Sequence, residues 1–261
     1  WTPSDKEAWF RAQKIQRSYA EEVLTRIQEL SPAFDVVPYG TLAVGPREYP
    51  VFLVRSKSFD PAKQTVLITG GVHGYETSGV HGALSFMKDQ ASRYASSFNF
   101  LCAPCLSPWA YETVNRWNAE AIDPNRSFVP NSPAKECELF LTAMEPYRGK
   151  IFAHFDLHET TDTDNSVFRP ALEKRDGRIQ AWSEIPDGFY TVGDSENPRP
   201  EFQSAIVASV REVTHIAPAD SDGKIIGEPL QQDGVIHFPV RKLALCAGFS
   251  GAEYVTTTEV Y

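Results

Sequence analysis

The chain has 261 residues, 42% of them hydrophobic and 23% charged, with a formal net charge of −9. That length and composition suit one globular domain over residues 1–261 with a sizeable core, and they exclude a disordered chain. The acidic balance gives no bulk attraction to phosphate backbones, and no apolar run approaches the ~20 residues of a membrane span, so neither nucleic acid nor a membrane is an expected partner.

The N-terminal Trp-Thr-Pro-Ser-Asp-Lys-Glu lacks the basic and apolar pattern of a secretory leader. The cysteines are Cys102, Cys105, Cys137 and Cys246, with a single Cys-x-x-Cys. A structural zinc knuckle needs a second such pair. A redox pair belongs at a strand-to-helix turn, whereas Cys102 and Cys105 lie in an apolar run. Small core residues in a reducing, cytoplasmic setting are the expectation.

Residues 4–30 carry an apolar stripe at helical spacing (Trp9, Phe10, Ile15, Tyr19, Val23, Ile27, Leu30) behind a Ser4/Glu7 capping-box pattern, which predicts one long helix. Residues 34–56 read as short strands at 36–37, 42–44 and 51–54, punctuated by Gly40, Gly45-Pro46 and Pro50. Thr65–Thr69 is a β-branched, apolar strand that Gly70 and Gly71 break. His73 and Glu76 follow three apart, and a helix is expected over 77–94, with His81 on it as a structural or surface residue. A strand at 98–106 leads into an irregular stretch, 107–128, dense in Asn, Arg and Trp. Long loops of that kind are commonly functional. Ser132-Pro133 opens a helix to about 147. The strand Ile151–Leu157 ends at His158-Glu159. Residues 171–184 are expected to be irregular or a short helix, 187–192 a strand, 200–215 a helix, and 220–240 hairpins at Asp222-Gly223 and Asp233-Gly234. Strands at 243–247 and 254–258 finish the chain, with Glu259 at the last strand's end. Strands alternating with helices predict an α/β fold: a mixed, mainly parallel twisted sheet with helices on both faces.

In such sheets, sites gather at the carboxyl ends of strands. Here those ends carry His73/Glu76, residues 116–126, His158 and Glu259. Imidazole nitrogens and a carboxylate oxygen suit zinc.

The order of these motifs resembles the zinc metallocarboxypeptidases of the carboxypeptidase A type, a superfamily that also holds the succinylglutamate desuccinylase and aspartoacylase relatives. The resemblance runs from about residue 39 to 259. It rests on Gly-Gly-Val-His-Gly-Tyr-Glu (70–76), Ser-Pro-Trp-Ala-Tyr (107–111), Arg-Trp-Asn (116–118), Asp-Pro-Asn-Arg-Ser-Phe (123–128), Phe-Asp-Leu-His-Glu (155–159) and the closing Thr258-Glu259. The Arg-x-Asn…Asp-x-Asn-Arg-x-Phe spacing is its most specific part. The resemblance implies one Zn²⁺ per chain held by His73, Glu76 and His158, with Glu259 as general base and Arg116 stabilising an oxyanion. It further implies that Asn125 and Arg126 hold a terminal carboxylate and that Asp123 orients His73. Glu159 receives no role.

The sequence departs from the family at Ser107-Pro108-Trp109-Ala110, where Asn-Pro-Asp-Gly is common, a difference expected to alter access to the site. Many members carry a Tyr on a loop shortly before the final strand. Residues 234–238 have none, so either His237 replaces it or nothing does; Tyr190 and Tyr254 do not match by position. Relatives usually continue past the final Glu into another helix, while this sequence ends at Tyr261. The expected activity is removal of C-terminal residues from peptides. The alternatives are deacylation of N-acyl amino acids, which also present a free carboxylate, and non-catalytic binding of peptide termini. The uncharged stretch 243–249 hints at a specificity pocket without direct charge pairing.

Overall fold

The computed structural model describes residues 1–180 and 184–261. Part of the segment expected to be irregular or a short helix, 181–183, lies outside the described residues.

The N-terminal apolar stripe is not one helix. Helix α1 (Pro3–Ala12) is capped by Thr2 and Asp5 and stops where Gln13 turns extended. The chain then hydrogen-bonds elsewhere: the Gln16 and Arg17 amides both donate to Glu112 O, and Asn115 Nδ2 donates to Gln13 Oε1. These long-range bonds replace the helical ones over 13–17. A one-turn π-helical segment, Ala20–Leu24, leads into α2 (Thr25–Glu29), and Tyr19, Val23, Ile27 and Leu30 are buried.

β1 (Phe34–Val44) and β2 (Arg47–Ser56) form one long antiparallel hairpin instead of separate short strands, with an irregularity at Pro38/Gly40 where Pro38 has no amide to donate. β3 (Gln64–Gly70), α3 (Thr77–Asp89), α4 (Ala91–Tyr94) and β4 (Phe98–Ala103) follow. The stretch expected to be irregular contains α5 (Pro108–Thr113) and a single 3₁₀ turn, Pro124–Arg126. α6 (Lys135–Met144), β5 (Ile151–Leu157), α7 (Arg169–Asp176), β6 (Tyr190–Asp194) and α8 (Pro200–Arg211) come next. β7 (Lys224–Ile225) and β8 (Glu228–Pro229) make a small hairpin whose turn is Ile226-Gly227, both at positive φ, and not Asp222-Gly223. β9 (Val235–Phe238) precedes α9 (Cys246–Phe249) and β10 (Tyr254–Glu259). The strand expected at 243–247 is instead a turn entering α9: Leu243 and Ala244 donate to Pro239 O and Arg241 O, and Ala244 takes a positive φ.

The eight-stranded sheet has the order β1-β2-β4-β3-β5-β10-β6-β9. The β4-β3-β5-β10 centre is parallel, and β2 and β6 flank it antiparallel. Alternation along the strands separates two cores. Val66, Ile68, Phe100 and Cys102 face one, with α3 and α5; Leu67, Leu101 and Ala103 face the other, under α6 and α9. The fold is therefore α/β, with a mixed sheet covered on both faces. No helix among the described residues is long and apolar enough to cross a membrane.

The chain leaves β3 to one side, for β4, and returns on the other, for β5. That reversal opens a crevice beyond the carboxyl ends of β3 and β5. Gly70, Leu157 and Thr258 are register partners across β3, β5 and β10, so His73/Glu76, His158 and Glu259 all follow one row of strand ends.

Candidate metal centre

Close backbone packing delivers the first two residues. Gly71 turns the chain at φ +59, and a Cβ on Gly74 would lie 1.9 Å from the Ala110 carbonyl carbon. Only glycine lets this loop press onto α5. His73 and Glu76 are each 2% exposed, as is His158.

The three side chains converge: one ligand atom of each lies within 4.8 Å of the others. Both rings present Nδ1 to the same carboxylate, His73 at 2.6 Å from Glu76 Oε1 and His158 at 2.7 Å from Glu76 Oε2. Both rings give Nε2 to an aspartate, His73 to Asp123 Oδ1 at 3.0 Å and His158 to Asp156 Oδ2 at 3.0 Å. A neutral imidazole that donates through Nε2 keeps its lone pair on Nδ1. Glu76 Oε2 is buried with no aligned hydrogen bond among the described residues, despite its short contact with His158. Two imidazole Nδ1 atoms and a carboxylate converging on one point fit a divalent cation of zinc's preferences, which would take the place of the hydrogens in the short Nδ1–Glu76 contacts. Burial pushes Asp123 up, but Arg116 and His73 more than offset it and hold the carboxyl well below its ordinary range.

His73, Glu76, Asp123, Arg116, Asn125, Arg126 and Glu259 line one cavity of about 980 Å³. His158 lies just behind its wall, against Glu76. Arg116 Nε donates to Asp123 Oδ2 at 3.1 Å, and its Nη1 to the Tyr75 hydroxyl at 3.3 Å. Asn125 Oδ1 accepts from the Cys246 amide at 2.8 Å, which pins the orientation of the side-chain amide. Its Nδ2 is 3.5 Å from His158 Nε2, but that nitrogen already donates to Asp156, and two donors make no bond. Arg126 is anchored through Nη1 to Asn125 O at 2.6 Å. Glu259 Oε2 accepts from the Thr160 hydroxyl at 3.0 Å, and burial pushes its carboxyl up to about 8.

No family model and no curated relative matches the chain. Solved structures do. A candidate metallopeptidase from Shewanella denitrificans aligns with a TM-score of 0.66 and 19% identity, covering 91% of this chain and 79% of the other. One from Shewanella amazonensis gives 0.65 and 20%, over 95% and 90%. A metallo-carboxypeptidase from Pseudomonas aeruginosa, in complex with (2-guanidinoethylmercapto)succinic acid, gives 0.57 and 16%, over 91% of this chain and 58% of that longer one. The chain has the metallo-carboxypeptidase fold.

Against that fold, the departures can be placed. Ser107 and Pro108 open a fully buried helix, with Trp109 packed on Trp9 and Phe10. The 107–110 segment supports the His73 loop from behind, and its residues are not among those that line the cavity. His237 is not a stand-in for a missing Tyr: its ring packs over Gly193, while its neighbour Phe238 faces the cavity. Tyr254 lies under Arg199 and beside Phe202. Tyr190 does reach the cavity, with its phenol 3.0 Å from the Thr160 hydroxyl. Glu159 accepts from the Ser78 amide at the start of α3. His81 bridges Arg26 and the Tyr111 hydroxyl, away from the site. Cys102 and Cys105 are buried free thiols, which removes the redox reading.

Asp156, Thr160 and Tyr75 escaped the sequence reading. Asp156 stands two residues before His158, and strand periodicity puts both on one face. That spacing was the available signal.

Proposed function

We propose that the chain is a zinc-dependent hydrolase that removes C-terminal residues from peptides. The observation that carries this is the convergence of His73 Nδ1, His158 Nδ1 and the Glu76 carboxylate beside a cavity that also holds Glu259, Arg116, Asn125 and Arg126. Zinc held by His73, Glu76 and His158 would supply a Lewis acid and an acidified water.

The remaining steps belong to side chains. Glu259 takes the proton from the attacking water and returns it to the leaving amine. Burial raises the Glu259 carboxyl in the metal-free chain, which makes it readier to take up a proton than an exposed carboxylate. Arg116, held rigid by Asp123 and Tyr75, directs a guanidinium at the oxygen on which negative charge develops. Asn125 has its amide hydrogens available, because its oxygen is committed to Cys246. With the Arg126 guanidinium it forms a donor pair for a terminal carboxylate. Asp123 holds the His73 ring through Nε2.

The deciding experiment incubates zinc-loaded protein and its Glu259→Gln variant with pooled short peptides and N-acyl amino acids, and follows products by mass spectrometry. Loss of single C-terminal residues, abolished in the variant, is the expected result. Release of acyl groups alone would move the protein to the deacylases. An untouched pool would leave a binding domain.

A further inference from the structure

We propose that Asp156, fixed in place by the Thr69 hydroxyl, is a positioning residue that orients His158 for metal binding. The inference rests on the zinc-site reading above and deepens it.

Asp156 is fully buried, and both of its oxygens are committed: Oδ2 accepts from His158 Nε2 at 3.0 Å and Oδ1 from Thr69 Oγ1 at 2.6 Å. Thr69 and Asp156 are register partners on β3 and β5. They lie on the face that carries Leu67 lower down, where an apolar pair would be the ordinary choice. The polar group continues inward. His154 Nε2 is 2.9 Å from Thr69 Oγ1, His154 Nδ1 is 3.2 Å from Ser250 Oγ, and Cys246 Sγ is 3.5 Å from Thr69 Oγ1. Buried polar groups are costly unless each is satisfied, so a network of this size constrains its members strongly.

His154, Asp156 and Cys246 could themselves be taken for a second metal site, since their ligand atoms lie within 4.8 Å of one another. The position of Thr69 argues against that. Its hydroxyl contacts all three, at 2.9, 2.6 and 3.5 Å, and so fills the space between them. The cluster is a hydroxyl-centred scaffold. Its output is the Asp156–His158 bond, which engages Nε2 and leaves Nδ1, 2.7 Å from Glu76, as the ring nitrogen that would ligate the metal. His73 has the corresponding bond to Asp123, but Asp123 comes from the 107–128 stretch and is partly exposed. Asp156 is fully buried in β5, the strand that ends immediately before His158.

The test is zinc affinity, measured by competition with a chromogenic chelator, in the wild type and in His73→Ala, Asp156→Asn, Thr69→Val and Thr69→Ser. Metal-free urea unfolding is followed in parallel. The wild type should bind one zinc and His73→Ala none. Asp156→Asn and the near-isosteric Thr69→Val should each lose about 10- to 100-fold in affinity. Thr69→Ser keeps the hydroxyl and should bind like the wild type, and the metal-free unfolding curves check that each variant compared is folded. Wild-type affinity in Thr69→Val, or an equal loss in Thr69→Ser, overturns the inference while the zinc site stands. Two zinc ions in the wild type, with one retained in His73→Ala, overturns the scaffold in favour of a second site. A wild type that binds no zinc overturns the underlying reading itself.

Discussion

The Thr160 hydroxyl donates to Glu259 Oε2 at 3.0 Å, and the Tyr190 phenol lies 3.0 Å from the same hydroxyl. Tyr190 is also the register partner of Glu259 across β6 and β10. Glu259 is thus held from two sides, by the sheet through Tyr190 and by the loop after β5 through Thr160. Glu259→Gln should lower kcat by ~10²–10⁴-fold, the usual contribution of a general base. Thr160→Val should lower kcat roughly tenfold with KM little changed, as expected for one hydrogen bond to a charged group. Steady-state kinetics of both variants checks this.

The pH profile should report the same residue. The base must be ionised, so kcat/KM should rise with pH through the ionisation of Glu259. Without metal that carboxyl stands at about 8, because burial disfavours its charge. A bound divalent cation favours the charged form, so the acid limb of the zinc-loaded enzyme should lie below 8. Glu259→Gln should remove the limb. A limb that survives in the variant would assign it to another group.

Zinc should stabilise the fold. At free metal 100-fold above its dissociation constant the gain is about 2.7 kcal/mol. Chelator should reverse it, and His73→Ala and His158→Ala should show none. Calorimetric melts with and without zinc measure the difference.

Arg126 and Asn125 predict a requirement for a free carboxylate. Capping a peptide as its C-terminal amide should cost the wild type roughly 10- to 100-fold in kcat/KM, the range of a charge-assisted pair. Arg126→Ala should lose a similar factor on free peptides and little on amides. Val192, Ile226, Phe238 and Leu245 also line the cavity, so peptides ending in leucine or phenylalanine should be cleaved faster than those ending in lysine or aspartate.

Glu136 predicts a stability change independent of metal. It is 4% exposed, accepts from Asn118 Nδ2 at 3.3 Å, and burial pushes its carboxyl up to about 7. In the unfolded chain it titrates near 4.5. Below that pH both states are protonated and the contribution is fully present. Between 4.5 and 7 the folded state binds a proton that the unfolded state does not, so stability falls as pH rises. The loss is complete above 7 and is on the order of 3 kcal/mol. Glu136→Gln should remove this slope and be the more stable protein at pH 8, by urea unfolding at pH 5 and pH 8.

Legibility from sequence followed the range of the forces involved. The strand before His73, the Gly70-Gly71 break, the strand before His158 and the closing strand before Glu259 are set by local periodicity and turn chemistry, and all could be read. The N-terminal stripe misled, because residues 13–17 exchange helical hydrogen bonds for bonds to Glu112 and Asn115, roughly a hundred residues away. Whether His237 replaces the Tyr stayed open in the sequence, because a strand's two faces differ only once the sheet is assembled around it.

The sequence by itself determined the α/β class, the strand ends that carry chemistry, and the residue types able to hold a metal and bind a carboxylate. Tertiary structure alone decided which atoms face one another. Strand order brought the ends of β3 and β5 together, and the ring contacts followed from packing: Asp123, fifty residues on, meets His73, and Thr69 on β3 meets Asp156, the neighbour of His158. The physical reason is that periodicity selects a face of an element, whereas an imidazole's tautomer and direction are set by the hydrogen-bond partners that only the packed sheet supplies.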